Sequence, residues 1–249
     1  MRAMILAAGL GTRLRPLTND RPKALVEVSG RTLLEITLRR LALFGVREVI
    51  VNVHHFADMV IDYLQRNDKF GMRIEISRED VLLDTGGGLK NASWFFLEHM
   101  PETHEPFVLH NVDVISTIDL RRMLEVHRKN RALATLAVQD RATSRYLVFD
   151  TDYQLRGRGA ASEQATATVP APRGTLALAF SGVHVISPRL LSMLSEEGSF
   201  SIISSYVRLA SEGEKILGFP ADEYCWRDLG TPEKVRQTER DAETQGFTL

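Results

Sequence analysis

The strongest constraint on the fold is an alternation of two patterns along residues 4–138. Short apolar segments typical of buried strands occur at 4–6, 49–53, 73–76, 107–109 and 134–138. Between them, segments with the apolar spacing of an amphipathic helix occur at 32–44, 57–65, 88–97 and 120–129. Strands and helices that take turns in this way form βαβ units, in which a mostly parallel sheet has helices on both faces. The first part of the chain therefore predicts an α/β fold.

The pattern changes after residue 138. Residues 146–149, a polar turn at 150–152 and residues 154–155 predict a hairpin, and the Ala-, Gly-, Ser-, Thr- and Pro-rich stretch 157–174 predicts a surface loop. A strand at 176–185, helices at 188–194 and 202–209, short strands at 216–219 and 224–226, and a last helix from Thr231 complete the prediction. A length of 249 residues suits one α/β domain, so we expect a single domain over 1–249 whose second half is more antiparallel.

Composition excludes several classes of protein. Lysine and arginine number 31 against 32 aspartate and glutamate, a net charge of −1, so no overall basic field is available to bind nucleic acid. No run approaches the roughly 20 apolar residues of a membrane span. Cys225 is the one cysteine, which excludes an intramolecular disulfide and fits a reducing compartment. We therefore expect a cytoplasmic protein with no nucleic acid and no membrane among its partners.

A glycine-bearing loop after the first strand is the first candidate for chemistry. It runs over 7–18 and is followed by Pro22 and Lys23. It lacks the Gly-Lys-Ser/Thr of a Walker A loop, and Leu14 stands where a dinucleotide fingerprint has its third glycine. Bare backbone amides can approach phosphate oxygens there, and Arg13, Arg15 and Lys23 can neutralise them, which suits a triphosphate. The alternative is a simple turn whose cations are solvated.

Two aspartates form the second candidate. Asp113 and Asp228 each follow an apolar strand, which puts them at the carboxyl edge where open α/β sheets bind ligands. Two carboxylates that face triphosphate oxygens suit Mg²⁺, which takes few protein ligands besides water and phosphate. For either aspartate alone, the alternative is a helix cap or a surface residue.

Glycine and histidine motifs complete the candidates. Residues 85–88 read Thr-Gly-Gly-Gly before a helical pattern, where a planar base can lie against the backbone and exposed N–H and C=O groups can bind its edge. The alternative is a flexible helix start. His54 and His55 are adjacent, and adjacent strand side chains point to opposite faces, so we expect one structural and one exposed histidine rather than a metal pair. His110 is expected to be structural.

These segments together resemble the signature of the nucleoside-diphosphate-sugar pyrophosphorylases, the sugar-1-phosphate nucleotidyltransferase family. The resemblance is carried by residues 4–23, with G-L-G-T-R-L-R-P-L-T and P-K-A-L, by D-T-G-G-G at 84–88, H-N-V-D at 110–113, F-S-G-V at 180–183 and W-R-D-L-G-T at 226–231. It covers nearly the whole chain and is weakest over 150–174. Within the family the chain is most similar to short bacterial members assigned to N-acetylmuramate-1-phosphate uridylyltransferase or mannose-1-phosphate guanylyltransferase.

The resemblance implies a Rossmann-like nucleotidyltransferase fold that joins a sugar 1-phosphate to a nucleoside triphosphate and releases pyrophosphate, with UTP favoured and GTP next. It divides the single domain into a nucleotide-binding half over about 1–140 and a sugar-phosphate-binding half over about 141–249 with a smaller antiparallel sheet. A monomer and a homodimer both remain open.

The resemblance also implies the site residues. Mg²⁺ is the implied cofactor, held by Asp113 and Asp228, and Arg13 and Lys23 join these acids as catalytic residues. The nucleotide-binding residues are Ala8, Gly9, Gly11, Thr12, Arg13, Lys23, Thr85, Gly86, Gly87 and Asn111. Gly182 is implied in binding the sugar phosphate.

The chain departs from the family pattern in two places. Val112 stands where the family usually has glycine before the acid. Thymidylyl and glucose members have a Glu-Lys-Pro after the hairpin, and the corresponding stretch here, near 160–162, has no lysine. We therefore expect Arg145, Arg156 or Arg158 to hold the acceptor phosphate, and Arg156 and Arg158 would share one face of a strand. The alternatives are a solvated loop edge and a different acceptor.

Two other functions remain open at this point. A non-catalytic nucleotide-sugar sensor or regulatory subunit would keep the fold and lose the phosphate cations or the metal acids, whereas this chain keeps both. A cytidylyltransferase that acts on an alcohol phosphate would differ in its acceptor. Neither the nucleobase nor the sugar follows from the residues.

Overall fold

A computed structural model describes residues 1–98, 105–160 and 174–245. The strands are β1 (Arg2–Leu6), β2 (Glu27–Val28), β3 (Arg31–Thr32), β4 (Glu48–Val53), β5 (Arg73–Arg78), β6 (Phe107–Asn111), β7 (Val114–Ser116), β8 (Ala134–Gln139), β9 (Arg145–Asp150), β10 (Leu155–Ala160), β11 (Thr175–Ile186), β12 (Ile216–Pro220) and β13 (Trp226–Asp228). The α-helices are α1 (Leu33–Leu43), α2 (Ala57–Arg66), α3 (Asp84–Asn91), α4 (Ser93–Leu97), α5 (Leu120–Asn130), α6 (Ile202–Ser211) and α7 (Pro232–Gln245). Short 3₁₀ helices lie at Thr12–Leu14, Lys23–Leu25, Asp68–Gly71 and Pro188–Met193.

Within the described residues, nine strands form one mixed sheet. The order along its main path is β10-β9-β11-β6-β1-β4-β5, and β8 pairs with both β11 and β12. Strand β1 runs parallel to β4 and β6, and β5 runs parallel to β4. Strand β11 runs antiparallel to β6, β8 and β9. The predicted α/β fold, parallel in its first half and more antiparallel in its second, is confirmed.

The core lies on both faces of this sheet. Side chains alternate along a strand, so Ile5 of β1 belongs to one apolar cluster with Leu38 of α1, and Met4 belongs to a second cluster with Leu89 of α3 and Tyr206 of α6. A strand covered on both faces can be apolar throughout, which explains the continuous apolar run of β1. No helix among the described residues is long and apolar enough to cross a membrane.

The structure differs from the sequence prediction at three elements. The single helix predicted at 88–97 is divided in the structure into α3 and α4. Helix α3 also begins earlier than predicted, at Asp84, because the glycines of its first turns pack closely against the segment that precedes α6. The strand predicted at 224–226 is β13, at Trp226–Asp228, because it pairs with β7. The loop predicted over 157–174 is wrong at its start, where β10 continues to Ala160 through pairing with β9. Residues 161–173 lie outside the described residues.

The carboxyl end of β6 positions the candidate site. Strand β6 ends at Asn111, and after Asp113 the chain enters β7, which pairs antiparallel with β13. This pairing sets Asp228 opposite the residue that follows Asp113, and the backbone N–H of Leu229 donates to the carbonyl of Asp113 at 2.8 Å. The β7–β13 pair is a small two-stranded antiparallel sheet, separate from the main sheet. Val112 is fully buried beside it, so its larger side chain is accommodated in the core.

Candidate active site

Two adjoining cavities lie along the carboxyl ends of β1 and β6. The smaller has a volume of about 430 Å³ and the larger a volume of about 670 Å³. Arg13, Asn111 and Asp113 line both of them. Open α/β sheets bind their ligands at this edge. Ligands in the two cavities would therefore meet at these three side chains, which together we call the junction.

The smaller cavity gathers most of the residues predicted to bind the nucleotide. Those in its lining are Ala8, Gly9, Arg13, Lys23, Thr85 and Asn111. Gly11 and Thr12 are not part of the lining and shape the loop instead. Gly11 has a φ of 65°, and its carbonyl accepts a hydrogen bond from Thr18 Oγ1 at 2.8 Å. A Cβ there would lie 3.0 Å from Thr18 Cγ2, so both the backbone conformation and the contact favour glycine.

Gly86 and Gly87 are buried inside α3, in a different role from the one expected. Their backbone N–H groups both donate to the carbonyl of Phe200, at 2.8 and 3.3 Å. A side chain at Gly86 would overlap the ring of Phe200, and one at Gly87 would overlap the carbonyl of Gly198. The amides expected to bind the base are therefore engaged within the protein. The glycines act through close packing, which sets Thr85 in the wall of the smaller cavity.

A buried polar pair in the same cavity was missed by the sequence prediction. Asn52 Oδ1 accepts a hydrogen bond from the backbone N–H of Ala7 at 2.7 Å, and Asn52 Nδ2 donates to Glu79 Oε1 at 2.7 Å. Glu79 Oε2 accepts from the backbone N–H of Leu83 at 3.0 Å. These bonds tie the ends of β4 and β5 to the loop after β1. A polar residue near the carboxyl end of an apolar strand is the signal that could have found Asn52.

Lys23 and Asp113 form an ion pair at the junction. Lys23 Nζ lies 2.9 Å from Asp113 Oδ2, and the two side chains are 16% and 10% exposed, so salt screens the pair weakly. Lys23 begins a short 3₁₀ helix, and its Nζ lies 3.7 Å from the position that a Cβ of Gly9 would occupy. The glycine loop therefore passes close to the ammonium group.

Asp228 ends β13 and lines the larger cavity. Its Oδ2 accepts a hydrogen bond from Lys234 Nζ at 2.6 Å. Its Oδ1 and the Nη2 of Arg13 each lie 3.0 Å from the position that a Cβ of Gly230 would occupy. Glycine at this position leaves room for the Arg13 side chain beside Asp228. The structure thus brings all four residues predicted to be catalytic to one junction.

Asp113 and Asp228 fit a divalent cation. Each lysine contacts one oxygen, Oδ2, of its carboxylate. Carboxylate oxygens are the ligands that Mg²⁺ takes, with water and phosphate oxygens completing its coordination. Over residues 1–98, 105–160 and 174–245, no group of three or more His, Cys, Asp or Glu side chains could hold a metal ion. A cation on this aspartate pair would therefore take most of its ligands from substrate and water.

Arginines line the larger cavity, and the structure separates two that were expected together. The arginines in its lining are Arg13, Arg141, Arg145 and Arg158. Arg158 donates to Ser204 Oγ at 3.1 Å. Arg156 does not line the cavity: a β-bulge between Leu155 and Gly157 interrupts the alternation of β10, and Arg156 pairs with Asp150 at 2.6 Å. The expected shared face of Arg156 and Arg158 is therefore not formed.

Gly182 also lines the larger cavity, on β11. Its φ is 75°, in the region that favours glycine. A Cβ at this position would lie 2.7 Å from Val114 Cγ2 and 3.0 Å from Asn111 Nδ2. Glycine therefore allows the backbone of β11 to approach the junction closely.

Arg141 was missed by the sequence prediction. Its guanidinium carbon lies 3.9 Å from the ring centre of Trp226, and its Nη2 donates to the carbonyl of Phe180 at 2.7 Å. Trp226 is held in turn by a 2.7 Å hydrogen bond from its Nε1 to the carbonyl of Ser181. Burial lowers the pKa of Arg141 and nearby Asp228 opposes that shift, and arginine stays protonated at neutral pH. The position of Arg141 just after β8 is the signal that could have found it.

His110 and His184 have structural positions in the core. His110 on β6 and His184 on β11 are buried, and burial lowers the pKa of His110 to about 4 and that of His184 to about 3. His54 Nδ1 lies 2.8 Å from the carbonyl of Glu79, whereas His55 is exposed. The expected division into one structural and one exposed histidine is confirmed, although both follow the end of β4.

Comparison with known proteins gives the family. Residues 2–245 match the nucleotidyl transferase family. The chain belongs to this family. It is 37% identical over 242 residues to the N-acetylmuramate alpha-1-phosphate uridylyltransferase of Caulobacter vibrioides, across 93% of this chain and 92% of that protein. It is 29% identical over 234 residues to the mannose-1-phosphate guanylyltransferase of Mycobacterium tuberculosis, across 93% of this chain and 61% of that longer protein.

Solved structures share the nucleotidyl transferase fold. HddC from Yersinia pseudotuberculosis, complexed with GMP-PN, matches with a TM-score of 0.73 at 22% identity, across 96% of this chain and 98% of that one. A UDP-glucose pyrophosphorylase complexed with UDP-glucose matches with a TM-score of 0.77 at 15% identity, across 98% of both chains. At these identities the likeness concerns the fold alone. Nucleotidyl transferases of this family generally use divalent metal ions, which agrees with the chemistry of the aspartate pair.

Proposed function

We propose that this nucleotidyl transferase transfers the nucleotidyl group of a nucleoside triphosphate to a sugar 1-phosphate, giving a nucleotide sugar and pyrophosphate. The observation that carries the proposal is the junction, where two cavities share Arg13, Asn111 and Asp113. The smaller cavity, beside the glycine loop, takes the triphosphate, and the larger takes the acceptor. Two bound reactants then meet in a fixed geometry, which turns a bimolecular step into an effectively unimolecular one. The uridylyltransferase relative, matched across nearly its whole length, supports UTP ahead of GTP.

The transfer needs no protein nucleophile and no general base, because a sugar-phosphate oxygen is already anionic. This oxygen attacks the α-phosphorus, and the new P–O bond forms as the bond to the departing pyrophosphate breaks. Negative charge grows on the oxygen that bridges the α- and β-phosphates. Arg13 binds the departing pyrophosphate, and Lys23 binds oxygens around the α-phosphorus. Catalysis is therefore a matter of position and of charge stabilisation.

Asp113 and Asp228 would hold Mg²⁺ at the junction. When bound, the ion supplies a Lewis acid that offsets the charge of the reacting phosphate oxygens. The ion pairs of Lys23 with Asp113 and of Lys234 with Asp228 keep one oxygen of each carboxylate engaged and so orient the other. The divalent-metal use of the family supports this assignment.

The acceptor occupies the larger cavity, against Gly182 and Arg158. Gly182 lets the backbone of β11 pack against Val114 and Asn111, and this packing forms the wall of the larger cavity beside the junction. Arg158 supplies a cation on the hairpin formed by β9 and β10. An arginine can bind a phosphate with two N–H groups, so it can replace a lysine without loss of the contact.

A substrate panel tests the proposal. Four nucleoside triphosphates are combined with several sugar 1-phosphates in the presence of Mg²⁺, and pyrophosphate release and product mass are measured. We expect release with UTP and a sugar 1-phosphate together, a nucleotide sugar of matching mass, and little release by Asp228→Asn as the matched control. Pyrophosphate release that does not require an acceptor, or no release with any pair, would overturn the proposal.

A further inference from the structure

A β-bulge in β11 fixes two side chains in the wall of the larger cavity. The register of β11 against β8 shifts between Phe180 and His184. A shift of this kind interrupts the ladder and leaves backbone groups free to bond with side chains. The carbonyl of Phe180 accepts a hydrogen bond from Arg141 Nη2, and the carbonyl of Ser181 accepts one from Trp226 Nε1, each at 2.7 Å. Both donor residues line the larger cavity.

The guanidinium group of Arg141 is held in one plane. It stacks on the indole ring of Trp226, with its central carbon 3.9 Å from the ring centre, and both residues are partly buried. A cation over an aromatic face is attracted more strongly when the pair is shielded from water. Trp226 belongs to β13, the strand that ends at Asp228. The stack therefore couples the position of Arg141 to the strand that carries one of the aspartates proposed to bind Mg²⁺.

Arg141 retains a hydrogen-bond donor for a ligand. Its Nη2 is engaged by the carbonyl of Phe180, and its Nε is buried without a partner. Its Nη1 also has no hydrogen-bond partner among the described residues. Burial lowers the pKa of Arg141 and the charge of Asp228 opposes that shift, yet no described carboxylate forms an ion pair with it. Buried donors are nearly always satisfied, so unsatisfied ones beside a cavity indicate a missing anionic partner.

The place of Arg141 suits the acceptor rather than the triphosphate. It lines the larger cavity and is not part of the lining of the smaller one. In the proposed transfer the acceptor phosphate must approach the α-phosphate, and these two anions repel each other as the new P–O bond forms. A positive charge that is already fixed beside them offsets this repulsion most strongly in the transition state.

We propose that Arg141 is a catalytic residue, which donates from Nη1 to the phosphate of the sugar 1-phosphate and holds it at the junction for attack. This inference rests on the proposed function and adds a residue to the same reaction. Trp226 is a positioning residue, because its ring sets the plane of the guanidinium group. Arg158, which is exposed on the hairpin, serves acceptor binding, whereas Arg141 also acts in the transfer step.

Arg141→Gln and Arg141→Lys form a matched pair that tests the inference. Glutamine can donate hydrogen bonds but has no charge, whereas lysine keeps the charge without the planar fork. With Mg²⁺, UTP and the best acceptor of the substrate panel, Arg141→Gln should lower kcat by about 10-fold to 100-fold, the range for one charged hydrogen bond. It should also raise the KM for the acceptor and leave the KM for UTP nearly unchanged. Arg141→Lys should recover part of kcat.

Two further sets of variants serve as controls. Arg189→Ala removes an exposed arginine that pairs with Glu214 at 2.8 Å, outside the cavity, and should change neither kcat nor KM. Trp226→Phe keeps an aromatic face and should retain more of kcat than Trp226→Leu. In the double variant R141Q/W226L the second change should add little, because Trp226 acts through Arg141. Independent losses that multiply in the double variant would overturn the positioning role of Trp226.

The outcomes separate this inference from the proposed function. Equal losses in Arg141→Gln and Arg141→Lys, or a loss that comes with a higher Mg²⁺ requirement, would overturn the inference while transfer itself stands. If no acceptor supports transfer, the proposed function fails, and calorimetric titration of the panel's sugar 1-phosphates, with Mg²⁺ and a non-hydrolysable UTP analogue present, still decides the inference. About 10-fold weaker binding to Arg141→Gln than to the unsubstituted protein supports it. Equal binding to the two proteins, or binding to neither, overturns it.

Discussion

The ammonium group of Lys23 lies 2.9 Å from the carboxylate of Asp113. Lys23, proposed to bind the α-phosphate, and Asp113, proposed to bind the metal ion, therefore hold each other in place. Both side chains are largely buried, and removing one partner of such a pair leaves the other charge uncompensated. Variants at either position therefore act on two interactions at once. Asp228, whose lysine partner lies on α7, allows the metal site to be tested separately from Lys23.

The aspartate pair gives the first prediction. Asp113→Asn and Asp228→Asn keep the shape of the side chain and remove a charge, so each should lower kcat by about 100-fold, or roughly 3 kcal/mol of transition-state stabilisation. Steady-state pyrophosphate release measures the change, and far-ultraviolet circular dichroism checks that the variants fold. An Asp228→Asn protein with nearly normal turnover would remove this residue from the metal site.

Lys23 gives the second prediction. A positive charge beside the α-phosphorus stabilises the transition state more than the bound substrate, so Lys23→Ala should lower kcat heavily and raise the KM for the triphosphate only moderately. Lys23→Arg, which keeps the charge but changes its position, serves as the matched comparison and should recover part of kcat. A rise in the KM for the triphosphate at constant kcat would instead show that Lys23 only binds the substrate.

The two neighbouring arginines of β10 give the third prediction. Arg158 lines the larger cavity, whereas Arg156 is paired with Asp150. Arg158→Ala should therefore raise the KM for the sugar phosphate by about 10-fold, as expected for one lost charged contact, and should change the KM for the triphosphate much less. Arg156→Ala should have a clearly smaller effect on either substrate. Equal effects of the two variants would contradict the separation that the β-bulge produces.

Buried histidines give the fourth prediction, which concerns stability. Burial lowers the pKa of His110 and His127 to about 4, whereas the unfolded chain has the ordinary value of 6.5. Between these values the unfolded state binds more protons, so the free energy of unfolding should fall as pH falls, by up to about 1.4 kcal/mol per pH unit for each histidine. Urea unfolding at a series of pH values measures this slope. His127→Gln should make the slope shallower, and an unchanged slope would rule out His127 as a contributor.

The fold was largely predictable because its signals are local. The alternation of strand and helix periodicity gave the parallel half, and the hairpin at β9 and β10 followed from its turn residues. The start of α3 was missed because glycine is a poor helix former. Contacts with Phe200, more than a hundred positions along the chain, favour the helix there.

The site was predictable only where its signals are local, and the residues that long-range contacts bring together were not. Asp113 and Asp228 could each be assigned to a strand end, but their proximity depends on the pairing of β7 with β13 across more than a hundred residues. Arg141 has no motif of its own. It acquires its position only when Trp226 stacks on it, a contact between distant segments. Arg156 and Arg158 were expected on one face because spacing alone gives no sign of a β-bulge.

Transfer of a labelled nucleotidyl group is the most direct test of the proposed reaction. The protein is incubated with UTP labelled at the α-phosphate, Mg²⁺ and a sugar 1-phosphate. The labelled products are separated, and their amounts are compared with the amount of pyrophosphate released. We expect the label to appear in a nucleotide sugar only when the sugar phosphate is present, with one pyrophosphate released for each label transferred. Label released as nucleoside monophosphate, or pyrophosphate formed without acceptor, would contradict it.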